Sequence, residues 1–212
     1  MSLQQPRTGP LIISPQNTHP QYQSLFFTRF PAEIRLQVWE LVFDETEIEI
    51  PHYDEFELPR CWFAIVQTCR LAYSETIDLL YSQTRFNNLE LCHLKRIQRM
   101  IPPRRWTKIQ FLHLHVLFEP WRRERGNRFY IWRSKMYGTE YWPAICETLE
   151  TLPSLRELRL TIHDERHWFT AERLWWLQNV KASEVFEIRF PNPVSDDFEA
   201  MSSQGVPWQL VT

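Results

Sequence analysis

Apolar residues recur along this chain at two different periods. Near the front the period is helical. In "FTRFPAEIRLQVWELVF", residues 27 to 43, a turn of about 100° per residue puts Ile34, Val38, Leu41 and Val42 on one stripe. Leu36, Trp39 and Phe43 form a second stripe beside it, and only Glu33, Gln37, Glu40 and Asp44 make a polar face. Pro31 suits the first turn, where its missing N–H costs nothing, and Thr28 or the residues just after it would cap. The apolar arc is wider than one packing contact needs. Either the helix is central in a core, the commoner arrangement, or a second partner covers the remainder. A second helix is expected from about Cys61 to Tyr81, with Trp62, Ile65, Val66, Cys69, Tyr73, Ile77 and Leu80 on one stripe. Gln67, Ser74, Glu75 and Asp78 lie opposite. Cys69 falls mid-stripe and reads as a small buried hydrophobe.

Further on the period changes to two. "KIQFLHLHV" places Ile109, Leu112, Leu114 and Val116 at the spacing of Leu155, Leu158, Leu160 and Ile162 in "SLRELRLTI". Phe186, Ile188 and Phe190 make a weaker third copy, and "TRF" around Phe86 a short fourth. The offsets Phe86 to Leu112, Leu112 to Leu158 and Leu158 to Phe186 are 26, 46 and 28. An insertion of about 18 residues in the middle interval restores the period. Helical patterns alternate with these strands. One holds Leu94, Ile97 and Ile101, a second holds Trp142, Ile145, Cys146, Leu149 and Leu152, and a weaker one with Leu174 and Leu177 is opened by Thr170. Strand, helix, strand with short links implies parallel strands. The array resembles a small leucine-rich-repeat half-solenoid. Leu117 and His163 stand where an Asn or Cys ladder belongs, so the expectation is a repeat-like βα array rather than membership of that family.

The front end carries a second resemblance. "FPAEIRLQVWELVF" followed by "FAIVQTCRLAYSETIDLLY" resembles the F-box motif, and is closer still to fungal F-box-like proteins that read LPxEIRxxIW and then TCRxxYxExxxLLY. Within that group it is similar to two-EXR and related domains. The likeness covers roughly residues 27 to 90 and implies a module that docks a Skp1-type adaptor of a cullin ubiquitin ligase. On matching positions Pro31, Ile34, Val38 and Leu41 would touch the adaptor, and the wide apolar arc adds Leu36, Trp39 and Phe43. Phe30 replaces the usual Leu, and Ala72 stands where a Trp often follows the Cys-basic pair. The link between the two helices is also about a dozen residues longer than usual.

The expected class is therefore α+β: an F-box-like helical module over residues 25–82, then a leucine-rich-repeat-like βα array with parallel strands over 83–193. Residues 1–24, with four prolines among Gln, Ser and Thr, read as a flexible tail, and residues 194–212 as a C-terminal tail. With 212 residues and 43% hydrophobic content the chain can fill a core. Its formal charge of −2 selects no partner, but the charges are blocked. Seven acids and no Lys or Arg lie between Asp44 and Glu57; twelve Lys or Arg against two acids lie between Lys95 and Lys135. Such blocks are mostly solvated faces.

The insertion, about 118–138, interleaves Arg122, Arg123, Arg125 and Arg128 with Trp121, Tyr130 and Trp132. The ordinary reading is a loop whose aromatics pack while its arginines stay wet. A protein contact is second, since Trp, Tyr and Arg dominate interface hot spots, and single-stranded nucleic acid is the least favoured. "HDERH", His163 to His167, follows a strand and lacks the metal-binding helical pattern, so it reads as a polar loop. His113 and His115 alternate on a strand as packed or half-exposed neutral imidazoles. Four glycines allow no phosphate-binding loop, and no nucleophile elbow or zinc framework is present. No cofactor, metal or enzymatic activity is expected. No apolar run approaches membrane-spanning length, and Leu11-Ile12-Ile13 is too short for a signal peptide. Four cysteines without paired spacing fit reduced thiols in a cytoplasmic or nuclear protein. The function expected is that of a non-enzymatic interaction module, with a Skp1-type adaptor and an unknown target as partners. The alternative is a stand-alone binding module whose insertion contacts protein or nucleic acid.

Overall fold

The computed structural model describes residues 23–44, 46–49, 64–117, 142–163, 169–191, 197–198, 200 and 205–211. The alternating segments form one six-stranded parallel sheet whose strands lie in chain order. They are β1 (Glu47–Glu49), β2 (Arg85–Glu90), β3 (Phe111–Leu117), β4 (Glu157–His163), β5 (Val185–Arg189) and β6 (Gln209–Val211). Positions aligned in the sequence copies are Cα partners in the sheet: Phe86 pairs with Leu112, Leu112 with Leu158, and Leu158 with Phe186. The same row continues outward to Ile48 on β1.

Parallel neighbours need a crossover, and the helices supply it. Described helices are α1 (Leu25–Arg29), α2 (Ala32–Phe43), α3 (Arg70–Gln83), α4 (Leu91–Met100), α5 (Pro103–Trp106) and α6 (Trp142–Glu150), with a 3-10 helix at Ala171–Leu177. Leu94, Ile97 and Ile101 from the α4 segment, and Trp142, Ile145, Cys146 and Leu149 from α6, are buried in one cluster. Leu112, Leu114, Val116, Leu158, Leu160 and Ile162 of the central strands complete it. Each fully buried Leu or Ile there contributes about 1.5–3 kcal/mol. The alternate strand residues, His113 and His115 among them, stay half-exposed on the other face. The period-two pattern thus assigns one face to the helices, and among the described residues no helix covers the other.

Several elements differ from expectation, each for a local reason. The second helix begins at Arg70 rather than near residue 61. Cys69 has an extended backbone, and its Sγ accepts the Ala72 N–H at 3.3 Å, so it is buried as a helix cap and not as a mid-helix hydrophobe. Residues 65–68 form a turn that buries Val66 and leaves Ile65 exposed; Cys61 and Trp62 lie outside the described residues. Thr28 does not cap α2. It lies inside the short α1 and donates to the Ser24 carbonyl at 3.0 Å, while Pro31 itself occupies the cap position. The sheet also reaches beyond residues 83–193. The acidic stretch contributes β1, because Glu-Ile-Glu alternates and buries Ile48. The C-terminal stretch contributes β6, anchored by buried Trp208. Among the described residues no helix is long and apolar enough to cross a membrane.

Candidate functional site

α2 packs on α3, and a polar brace fixes how it lies. Arg35 Nη2 donates to Glu75 Oε1 at 2.5 Å, and Arg35 Nε lies 3.2 Å from both carboxylate oxygens. Trp39 Nε1 donates to Glu75 Oε2 at 3.0 Å. Arg35 Nη1 reaches back to the Phe30 carbonyl at 2.7 Å and its guanidinium lies over the Phe27 ring. Phe26 meets Trp39 edge-on, with centroids 5.0 Å apart. Residues Arg35 and Trp39, four apart and hence on one helix face, therefore tie α2 to α3 through a single carboxylate and meet α1 through Phe27 and Phe26. Burial pushes the Glu75 carboxyl up, but hydrogen bonds from Arg35 and Trp39 and the Arg35 charge outweigh it, leaving it below the usual glutamate range.

The brace selects which stripe of α2 is covered. Phe43, two turns on from Arg35, is buried at 3% exposure, and Trp39 is half-buried. Leu36, at the margin, is 43% exposed. The opposite stripe is the open one. Ile34 is 40% exposed, Leu41 76% and Val42 41%, Pro31 is exposed and Val38 half-buried. The expectation that all of Leu36, Trp39 and Phe43 join the accessible surface is corrected for Phe43. Arg35 turns that side toward α3, and Phe43 enters the core. The surplus apolar surface exists, and it lies along Pro31, Ile34, Leu41 and Val42 on one side and at Leu36 on the other, with Val38 half-buried. Phe30 adds to it at the helix entrance.

The insertion residues Trp121, Arg122, Arg123, Arg125, Arg128, Tyr130 and Trp132 lie outside the described residues. So do residues 164–167 of the "HDERH" segment. His163 itself ends β4 and stacks on His115, with centroids 5.6 Å apart. His115 and His113 rings lie 4.8 Å apart, and His113 Nε2 is 2.9 Å from the Thr161 hydroxyl oxygen. Burial, then the nearby Arg159 and Arg189 charges, push His113 below the usual histidine range, against the opposite pull of Glu157 and Glu47. Lower on the same face Arg85 crosses the Phe111 ring to reach Glu157 at 2.7 Å, and Arg159 bridges Glu157 and Glu187. Among the described residues no group of three His, Cys, Asp or Glu has a geometry that could hold a metal.

Sequence reasoning missed the Arg35–Glu75–Trp39 brace. The i, i+4 placement of Arg35 and Trp39 was visible, but their partner lies 40 and 36 residues away and no local period points to it. It also missed the exposed pair Trp175 and Trp176 on the 3-10 helix, which period analysis treats only as neighbours of Leu174 and Leu177.

A family model described as a domain of unknown function, DUF7730, matches residues 53–207. That span takes in α3 and β2 to β5 and leaves α2 outside. No curated protein and no solved structure matches the chain.

Proposed function

We propose, for a chain that belongs to the DUF7730 family of domains of unknown function, the role of a non-enzymatic, F-box-like interaction protein. In this reading α2 docks a Skp1-type adaptor of a cullin ubiquitin ligase, and the leucine-rich-repeat-like βα array presents a surface to a target. The observation that carries it is the exposed stripe Pro31, Ile34, Leu41 and Val42 on a helix held from its other side. An amphipathic helix normally hides its apolar residues. This one buries only Phe43 outright, yet Arg35, Trp39 and Glu75 fix it firmly enough to present the rest. A preorganised apolar helix face is what a groove-forming partner recognises.

The resemblance of "FPAEIRLQVWELVF" to fungal F-box-like sequences supports the same surface, since Pro31, Ile34, Val38 and Leu41 are its adaptor-contacting positions. The protein would then work in the cytoplasm or nucleus, where cullin ligases act. The test is recovery of a Skp1-type protein from fungal lysate by wild type and by an Ile34→Asp/Leu41→Asp variant. Capture by wild type and loss by a folded variant are expected. A folded wild type that recovers no such protein overturns the reading.

A second reading is favoured by one specific observation: the family match begins at residue 53, beyond α2. On it the shared function resides in the sheet, as a binding module without a ubiquitin role, and the basic-aromatic insertion contacts protein or nucleic acid. Binding through the insertion would fall steeply with salt and vanish when Arg122, Arg123, Arg125 and Arg128 become Ala.

A further inference from the structure

Three residues per turn give the 3-10 helix between β4 and β5 one inward row, Ala171, Leu174 and Leu177, and two outward ridges. Residues three apart eclipse, so Glu172 and Trp175 share one ridge, and Arg173 and Trp176 the other. Trp175 is 41% exposed and Trp176 52%. The indole N–H groups of Trp39, Trp106 and Trp142 are spent on Glu75, Thr151 and the Arg173 carbonyl. Those of Trp175 and Trp176 meet no acceptor among the described residues, and Glu172, also exposed, has no ion-pair partner there. Arg173 differs, being half-buried and engaged within the chain. The Trp142 hydrogen bond lays α6 alongside, and the exposed acids of α6 are Glu147 and Glu150. Across residues 142–150 and 169–181, these three unpaired carboxylates stand against one unengaged base, Lys181, four residues past the helix end.

We propose that the surface made by Glu172, Trp175 and Trp176 docks a basic segment of a partner protein, with an arginine side chain laid on the indoles. Three needs of the surface are met by that one chemistry. The guanidinium is a planar cation that stacks on an indole face and forks onto a carboxylate. One 3-10 turn rises about 6 Å, so a guanidinium on the Trp175 ring is within reach of Glu172 on the same ridge. The peptide backbone brings carbonyl oxygens for the two idle indole N–H groups, which a cation alone does not satisfy. A phosphate backbone supplies no cation and meets Glu172, Glu147 and Glu150 with like charge, so nucleic acid fits this surface poorly. Trp and Arg are also the residues that most often anchor interfaces.

The inference rests on the reading of the βα array as a target-facing surface and names the chemistry of that target. The α2 stripe takes no part in it. α2 is braced to α3, which crosses from β1 to β2, whereas the 3-10 helix crosses from β4 to β5. Failure of adaptor capture by α2 therefore leaves the peptide result standing, and failure of peptide binding leaves the α2 result standing.

The experiment is an NMR titration of the full chain with a capped Arg-Gly repeat peptide at low salt, following the indole N–H resonances. Trp175→Phe and Trp176→Phe assign the two signals by their disappearance. Saturable shifts of both indoles are expected, weakening as salt is raised. Trp175→Ala should weaken binding about fivefold and Glu172→Gln about threefold, the losses of a cation–ring contact and of an exposed ion pair. Arg99→Ala, on α4, should leave it unchanged. Glu172 is exposed and its Gln replacement keeps its shape, so this variant serves even if Trp175→Ala fails to fold. Silent indoles, or unchanged affinity in a folded Glu172→Gln variant, overturn the proposal. An equal response to a capped Gln-Gly peptide, to maltohexaose or to a single-stranded oligonucleotide overturns it as well, since none of these carries the cation.

Discussion

Single residues in this chain take roles that their neighbours in sequence do not announce. Glu75 lies on the polar side of a helix in the sequence, yet it is the acceptor that locks Arg35 and Trp39. Its folded pKa is lowered, so its contribution to stability is present above the ordinary glutamate value and is lost as pH falls through the lowered one. Glu75→Gln should therefore destabilise the protein by about 1–3 kcal/mol near neutrality, and by less in acid, measured by denaturant unfolding across pH. Equal destabilisation at all pH values would refute an ionised brace. Cys146 behaves in the opposite sense. Burial pushes its thiol up to about 12, with Glu150 and Glu147 adding to the rise. Iodoacetamide at pH about 8 should spare Cys146 until the protein unfolds, whereas mass-spectrometric labelling of the native chain would contradict its burial. The burial of Cys146 was legible in the sequence because it shares a helical stripe with Ile145 and Leu149. The capping by Cys69 was not, because a cap depends on where a helix starts, and the apolar pattern continued past that point.

At the scale of elements, period decided more than composition did. The interval correction of about 18 residues aligned Leu112 with Leu158, and the sheet pairs those residues. Leu114→Ala, at a fully buried position of β3, should cost about 2–5 kcal/mol in an equilibrium melt, and a loss below 1 kcal/mol would mean a looser core than the structure describes. β1 and β6 escaped because each has three residues, too few to establish an alternation, and both sit in segments dominated by charge or by Pro and Gly. α2 shows the converse limit. Its total apolar arc was legible, but which stripe faces inward depends on Glu75 of another helix. Substituting exposed positions in Ile34→Asp/Leu41→Asp should leave stability within about 0.5–1 kcal/mol of wild type. A collapsed thermal transition would mean that this stripe belongs to the core.

For the whole molecule, the sequential parallel sheet has one face covered by helices, no described helix on the other, and α2 braced to α3. An apolar stripe on α2 lies exposed, and three imidazoles, His113, His115 and His163, gather on β3 and β4. The sequence exposed the first through excess hydrophobicity. The second was hidden because His115 and His163 are far apart in the chain and meet only through the register of the ladder. The most direct test of the docking helix is calorimetric titration of a purified Skp1-type adaptor into wild type and into Ile34→Asp/Leu41→Asp, with thermal melts of both proteins alongside. If α2 is the docking element, wild type binds, the variant melts like wild type, and its binding heat disappears. Equal binding by the two proteins, or none by a well-folded wild type, would contradict it.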